Sequence, residues 1–155
     1  MQEIKQSKIE EIESKHKSEH DGYEYYKKEF VSRTDAKQCI VSIYEIPPGK
    51  SAYPCHYHMK NEEVFYIISG RGELSAPNGI RDVSKGDLLF FPANERGAHK
   101  LTNSSSTEML VYIDFDTCND LDVAFYPDSK KIGVLGMGIN QFYKTEDSVD
   151  YYLDE

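Results

Sequence analysis

Apolar residues along this chain occur in short runs separated by turn residues, a pattern typical of β-strands. The clearest run is 39–46, Cys-Ile-Val-Ser-Ile-Tyr-Glu-Ile, which is rich in β-branched residues and is followed by Pro47-Pro48-Gly49. Proline cannot continue a hydrogen-bonded ladder, and the glycine permits a tight bend. The same reading predicts further strands over 23–31, 64–68, 71–75, 80–83, 88–91, 98–102 and 108–115.

Short strands at this spacing, without a convincing central helix, predict an all-β fold, either an antiparallel sandwich or a barrel. A length of 155 residues allows one domain with a single core, which we place at residues 23–116. Residues 1–22 carry a weak helical stripe of isoleucines among charged residues, so we expect a short helix or an N-terminal arm. Residues 117–155 change in character, and we expect a C-terminal extension packed on the barrel.

The charge balance narrows the range of partners. Lysine and arginine number 18 against 27 aspartates and glutamates, a formal charge of −9. Nucleic acid and anionic membranes attract positive surfaces, so we expect neither as the main partner. No apolar run approaches the length of a transmembrane helix, and the polar N-terminus is unlike a signal peptide. Three cysteines without a CxxC pair fit a reducing compartment, and the predicted location is cytoplasmic.

The residues with the clearest chemistry lie between Gly49 and Gly70. His56 and His58 are two apart, so on a strand their imidazoles point to the same face. The next apolar run opens with Glu63, and the four short, mostly polar residues before it (59–62) predict a hairpin loop. Such a hairpin brings Glu63 back beside the two histidines. Two imidazoles and one carboxylate on one face indicate a site for a first-row transition metal.

A third imidazole comes from a second group of residues, in which Gly86 and Pro92 precede His99 and Asn103. If residues 98–103 form a strand, His99, Leu101 and Asn103 share one face. His99 can then join the first two histidines. A single histidine on an apolar strand is more often a hydrogen-bonded core residue, and it is the combination of both groups that indicates a metal site.

These two stretches resemble the two motifs of the cupin superfamily. The first cupin motif has a glycine, His-x-His, a glutamate and a second glycine, and this chain departs only in having six residues, not five, between Gly49 and His56. In the second motif a glycine usually follows the proline by two residues. Here Asn94 stands at that position, and we expect it to adopt the positive φ that asparagine tolerates better than most residues. The resemblance extends over residues 40–131 to bacterial single-domain cupins.

This resemblance implies a cupin jelly-roll β-barrel with His56, His58, Glu63 and His99 as metal ligands. Three neutral imidazoles and one carboxylate suit one divalent transition metal, namely Fe, Mn, Ni, Zn or Co. Cupins include dioxygenases, isomerases, epimerases, decarboxylases and non-catalytic binders, so fold and ligands do not choose the reaction.

Two functions therefore remain open at this point. The first is a metal-dependent enzyme, oxygenase-like or isomerase-like, acting on a small oxygen-rich molecule such as a sugar or a hydroxy or keto acid. The second is a ligand-binding or sensing module in which the metal anchors the ligand. The predicted interior positions Phe65, Ile67 and Leu101 are apolar and offer no acid–base pair beside the metal ligands. That composition favours oxygen chemistry or binding over isomerisation.

Strand alternation also separates the two neighbouring glutamates. Glu63 shares the parity of Phe65 and Ile67 and faces the interior, whereas Glu62 points away. Tyr53, three residues before the first histidine, fits either the cavity mouth or rim packing.

Val64, Tyr66 and Ile68 share the opposite parity and form an apolar outer face. A face of this kind is usually covered by a partner, so we expect a homodimer.

Overall fold

The computed structural model describes residues 3–155 and is built almost entirely of antiparallel strands. Within these residues the strands are β1 (Ser14–His20), β2 (Tyr23–Val31), β3 (Cys39–Ile46), β4 (Tyr57–His58), β5 (Glu63–Ser69), β6 (Arg71–Ala76), β7 (Gly79–Ser84), β8 (Leu88–Phe91), β9 (Lys100–Asn103), β10 (Leu110–Thr117), β11 (Leu121–Tyr126), β12 (Lys131–Gly136) and β13 (Ile139–Lys144). The predicted all-β fold of short antiparallel strands is confirmed. No helix in the described residues is long and apolar enough to cross a membrane.

The strands form three hydrogen-bonded groups. A six-stranded sheet has the order β1-β2-β3-β10-β5-β8, a four-stranded sheet has the order β13-β12-β11-β4, and a three-stranded sheet has the order β7-β6-β9. The core lies between the large and the small sheet, where Ile46, Ile67 and Leu110 meet Leu74 and Leu101. All five side chains are almost fully buried. This core closes the end of the barrel below the histidines.

β10 is the strand on which the interior depends, because it pairs with both β3 and β5. Its register places Asp114 between Ser42 and Phe65, and Asp116 between Ile40 and Glu63. Side chains in such a row face the same side of the sheet. The interior therefore receives two carboxyl groups from the middle of the sheet.

Of the two expected forms of the N-terminal segment, a short helix or an arm, the helix is reduced to one turn. Only Ile9–Glu11 is helical, as a single 3-10 turn, and β1 follows it as an exposed edge strand paired with β2. Isoleucines at 4, 9 and 12 give too little apolar surface to hold a helix against the barrel, whereas β1 gains backbone bonds and cross-strand contacts. These contacts include a Lys15–Glu29 ion pair at 2.7 Å and a stacked His16–Tyr26 ring pair.

The C-terminal region contributes strands rather than a loose cover. β11 pairs with β4, placing Ala124 opposite His58, and β12 and β13 extend this sheet outwards. Beyond β13 the remaining residues are exposed, with Tyr151 87% exposed. The extension contacts the barrel through residues 118 and 119, which bond to Gln38 and Asn61, and through β11, which pairs with the strand that carries His58.

Candidate metal centre

Three histidines direct their Nε2 atoms towards the carboxylate of Glu63. Its Oε1 atom lies 3.9 Å from Nε2 of both His56 and His58, and its Oε2 atom lies 3.5 Å from Nε2 of His99. Glu63 and all three histidines are buried or nearly so. The structure therefore brings together all four residues that the sequence predicts as ligands.

The elements that carry these residues differ from the predicted hairpin. β4 bonds to β11, and β5 bonds to β10 and β8, so residues 59–62 cross between two sheets instead of joining paired strands. His56 pairs with His99 through two backbone hydrogen bonds of 3.1 and 2.9 Å. Glu63 still reaches the histidines, because the two sheets converge at this end of the barrel.

The orientation of each imidazole is set by a hydrogen bond from its other ring nitrogen. Nδ1 of His56 donates to the carbonyl oxygen of Pro54, and Nδ1 of His99 donates to that of Gly97, both at 2.9 Å. Nδ1 of His58 donates to the Asp122 carboxylate. A carbonyl oxygen can only accept, so the ring proton sits on Nδ1 and the Nε2 lone pair is left free to bind a metal ion.

Electrostatics favour the neutral form of two of these rings. Burial, with the neighbouring His58, lowers the pKa of His56 to about 4. Burial and the neighbouring His56 lower the pKa of His99 well below its usual value. Burial alone would lower the pKa of His58 too, but the Asp122 hydrogen bond raises it. Neutral imidazole is the form that ligates metals, so His56 and His99 are in the binding form at neutral pH.

The ligating atoms of His56, His58 and Glu63 all lie within 4.8 Å of one another, close enough for a single ion to contact them. Imidazole nitrogens and a carboxylate oxygen are donors suited to a divalent first-row transition metal. The inward Nε2 lone pairs and the fixed Nδ1 atoms match what such an ion requires. The donor set therefore fits a metal ion, with His99 as a further nitrogen beside it.

A second group of carboxyl groups adjoins this cluster. Oxygens of Glu63, Asp114 and Asp116 also lie within 4.8 Å of one another. Burial raises the pKa of Glu63 to about 8, with Asp116 adding to the effect, and burial likewise raises the pKa values of Asp114 and Asp116. Three adjacent carboxylates repel one another in a medium of low dielectric constant, so the group retains protons at neutral pH.

These aspartates were missed by the reading of the sequence, which expected an interior without acid–base groups beside the ligands. Phe65, Ile67 and Leu101 are indeed buried, but Asp114 is 7% exposed and faces the same interior. The available signal was the alternation along β10, where Leu110, Tyr112, Asp114 and Asp116 share one parity. One oxygen each of Asp114 and Asp116 is buried without a hydrogen-bond partner among the described residues.

A cavity of about 230 Å³ connects this site with solvent. It is smaller than the ~300–1,000 Å³ typical of pockets for drug-sized ligands, so it suits a small molecule. Tyr53 lines the cavity and is 39% exposed, and its hydroxyl group bonds to Tyr44 at 3.0 Å and to Tyr25 at 3.4 Å.

Two residues of the C-terminal region also belong to the site, and nothing in their sequence positions indicated it. Asp122 is 1% exposed, and its carboxylate accepts hydrogen bonds from Nδ1 of His58 and from the backbone N–H of Lys60. Tyr126 stacks on the His56 ring with a centroid distance of 5.8 Å.

The loop before His99 is built differently from the expectation. Asn94 has φ of 179°, which is extended backbone, so the expected positive φ is wrong. Its side chain instead accepts a hydrogen bond from the backbone N–H of Arg96. The glycine that this loop requires is Gly97, where a Cβ atom would collide with the carbonyl oxygen of Pro92.

Asn103 is structural, since its amide donates to the carbonyl oxygens of Ile46 and Glu108 at 2.8 Å.

Comparison with known proteins agrees with this geometry. The family model described as "Cupin domain" matches residues 42–115. An uncharacterized protein of Methanocaldococcus jannaschii is 32% identical over 66 residues, which are 43% of this chain and 51% of that protein. The chain thus spans about half the length of the curated relative that it matches.

Solved structures resemble the whole chain. A proposed sugar phosphate isomerase from Acidithiobacillus ferrooxidans has a TM-score of 0.81 at 26% identity, covering 92% of this chain and 91% of its own. A sugar phosphate isomerase from Silicibacter pomeroyi, described as from a cupin superfamily, has a TM-score of 0.81 at 19% identity. The match covers 95% of this chain and 97% of that one. The second of these likenesses concerns the fold alone.

The two neighbouring glutamates give a direct test of the ligand assignment. Glu63→Gln should lower the bound metal per chain and lower the melting temperature by about 5–10 °C, because ligation stabilises the folded state. Glu62→Gln should change neither, since Glu62 is exposed. Metal analysis of the purified proteins and thermal melts measure both effects. Loss of metal from the Glu62 variant alone would contradict the assignment.

Asp122 should matter for metal affinity although it is not a ligand. Asp122→Asn weakens the acceptor for His58 Nδ1, and losses at such supporting positions are typically about 10–100-fold in metal affinity. Competition with a chelator measures the dissociation constant of the metal ion in each variant. Asp128→Asn, at an exposed aspartate after β11, is the matched control. Equal affinities in the two variants would show that Asp122 does not tune the ligand.

Proposed function

Because the chain belongs to the cupin superfamily, we propose that it is a metal-dependent isomerase of a small sugar-like molecule, one with a carbonyl group beside hydroxyl-bearing carbons. The observation that carries the proposal is the position of Asp114 and Asp116, whose unpartnered carboxyl oxygens adjoin the histidine–glutamate cluster in one cavity. The likeness to a proposed sugar phosphate isomerase over 92% of the chain supports the same reaction class.

His56, His58, Glu63 and His99 would hold the metal ion in this proposal. When bound, a divalent ion supplies a Lewis acid that polarises a carbonyl oxygen and favours the negative charge that develops on it. The chain supplies the orientation: the outward Nδ1 bonds fix the rings, and the surrounding Phe65, Phe91 and Tyr112 exclude water from the inner end.

The aspartates supply the proton transfer that such a reaction needs. Isomerisation removes a proton from the carbon next to the carbonyl group and returns a proton to the former carbonyl carbon, while the hydroxyl proton passes to the carbonyl oxygen. A single ionised carboxylate facing the substrate can accept and return the first proton. Asp114 and Asp116 line the cavity with one free oxygen each, so either oxygen is available to a bound ligand. We assign the transfer to Asp114, since Asp116 is paired in register with Glu63. Asp114 must therefore be the member of the carboxyl group cluster that carries negative charge when the substrate binds.

Asp114→Asn should lower the isomerisation rate by about 10²–10⁴-fold while the metal content stays unchanged. Turnover of a panel of aldoses and ketoses, free and phosphorylated, is followed by NMR in deuterated water, which also reports exchange at the carbon next to the carbonyl group. Asp82→Asn, at an exposed aspartate on β7, is the matched control.

Three outcomes contradict the proposal. Unchanged turnover in a folded Asp114 variant would remove that residue from the chemistry. Turnover with dioxygen uptake would select an oxygenase. A rise in melting temperature with sugar ligands, without any turnover, would select the non-catalytic binding module.

We also propose that the protein is a homodimer formed through the outer face of the six-stranded sheet. Cross-strand pairing places Val64 beside Phe90 and Tyr66 beside Leu88, and Leu88 and Phe90 are 71% and 58% exposed. β8 is the edge of this sheet, so an apolar face and a free strand edge lie side by side. A second copy of the chain would cover the apolar face and pair with the free strand edge, in an isologous contact in which both copies use the same surface.

Light scattering at micromolar concentration should give the mass of a dimer, and Phe90→Glu should give a monomer because it places charge in the apolar face. Ile80→Glu, at an equally exposed apolar position in the three-stranded sheet, should leave the dimer intact. A monomeric wild-type protein would overturn the assembly while leaving the metal centre unaffected.

A further inference from the structure

Four tyrosines form a group at the cavity, and their hydroxyl groups are not used alike. Tyr53 donates its proton to Tyr25 at 3.4 Å, and its oxygen lies 3.0 Å from that of Tyr44. A phenol has one proton to donate, so Tyr44 is the donor to Tyr53. Tyr112 stacks on Tyr44 with the ring centres 5.2 Å apart, but among residues 3–155 its hydroxyl group takes part in no hydrogen bond. It is the one member of the group whose hydroxyl is unpaired.

The unpaired hydroxyl belongs to a side chain of the inner cavity wall. Tyr112 lines the cavity and is only 2% exposed. Its ring contacts Phe65 with a centroid distance of 4.6 Å, and Phe65 in turn meets the ring of His99 at 5.5 Å. A buried hydroxyl group without a partner costs free energy, because it has lost its hydrogen bonds to water. Phenylalanine would pack in the same way without that cost, so packing does not explain the hydroxyl.

The same hydroxyl lies near the carboxyl groups of the site. Tyr112 and Asp114 are two residues apart on β10, so their side chains share its inner face. Burial raises the pKa of Tyr112 well above its usual value, and the neighbouring Asp114 adds to the effect. The phenol therefore keeps its proton at neutral pH, and it faces a ligand as a hydrogen-bond donor.

We propose that the Tyr112 hydroxyl group donates a hydrogen bond to a hydroxyl oxygen of the substrate, beside the carbon atom on which Asp114 acts. This inference rests on the proposed isomerase function and specifies how the cavity selects its substrate. A bound hydroxyl oxygen supplies the partner that the phenol lacks, whereas a deoxy analogue leaves the phenol unpaired. A site built to bond a substrate hydroxyl discriminates against a molecule without it, because a buried polar group then stays unsatisfied.

Binding is measured by calorimetry on the full-length protein as purified. The probes are the aldoses and ketoses of the isomerisation panel and their monodeoxy analogues. Tyr112→Phe removes only the hydroxyl group and keeps the ring against Phe65 and Tyr44. It should weaken binding of the parent sugar about tenfold. The wild type should bind one monodeoxy analogue about tenfold more weakly than its parent sugar, and the variant should bind the two equally.

Two further variants separate recognition from structure. Tyr152→Phe, at a tyrosine that is 74% exposed in the C-terminal tail, should bind parent and analogue like the wild type. Tyr44→Phe breaks the hydrogen bond to Tyr53 and should lower the melting temperature. Tyr112→Phe should not lower it, since no bond within the protein is lost. A fall as large as that of Tyr44→Phe would give the hydroxyl a structural role and overturn the proposal.

The binding data can also overturn the assignment directly. A Tyr112→Phe variant that binds the parent sugar like the wild type would do so, as would a variant that still discriminates against the same deoxy analogue. Absence of binding by every sugar of the panel would overturn this assignment together with the isomerase.

Failure of the isomerase alone gives a different result. Binding and discrimination that depend on Tyr112, without turnover, would leave the hydroxyl contact and remove the isomerase. Turnover that is unchanged in Tyr112→Phe would leave the isomerase and remove the contact.

Discussion

The hydrogen bonds that hold the three imidazoles by their Nδ1 atoms are the constraint on which the candidate site depends. They come from three separate places: the backbone before His56, the loop at Gly97, and a carboxylate on β11. Each one fixes a ring and leaves Nε2 facing Glu63. Without them, neighbouring buried imidazoles would be free to rotate and to bond to Glu63 as protonated partners. The geometry of the candidate metal centre therefore depends on the surrounding backbone and on Asp122 as much as on the four side chains.

The second constraint is the position of β10 in the middle of the large sheet. β3 pairs with one edge of β10 and β5 pairs with the other. Polar groups on the inner face of β10 therefore reach bulk solvent only through the cavity. Asp114 and Asp116 occupy that face at a cost in desolvation that an apolar pair would avoid. A fold that needed only stability would gain nothing from them. Among residues 3–155, one oxygen of each aspartate and the hydroxyl group of Ser42 are buried there without a hydrogen-bond partner.

The C-terminal strands hold two of the three imidazoles in place. β11 supplies Asp122 to one histidine and Tyr126 to another, and Phe142 on β13 packs edge-on against Tyr126. Gly133 on β12 leaves the space for the Phe142 ring, since a Cβ atom there would lie 2.8 Å from it. The segment outside the matched family region thus holds the rings of His56 and His58 in place. Specificity within a shared fold can arise from such supporting strands while the ligands stay the same.

Strand positions follow from the sequence because they depend on local rules. The grouping of His56, His58, Glu63 and His99 was implied by the resemblance of the two motifs, and the structure brings these four residues together without the predicted hairpin. Alternation along a strand placed Glu63, Phe65 and Ile67 on the inner face, and His-x-His presented two imidazoles together. The same rule applied to β10 would have shown Asp114 and Asp116. Asp122 lies 64 residues from His58, and no local pattern could join them. The contact between Asp122 and His58 and the crossing of residues 59–62 between sheets were decided by tertiary structure, because both depend on which strands pair across the barrel.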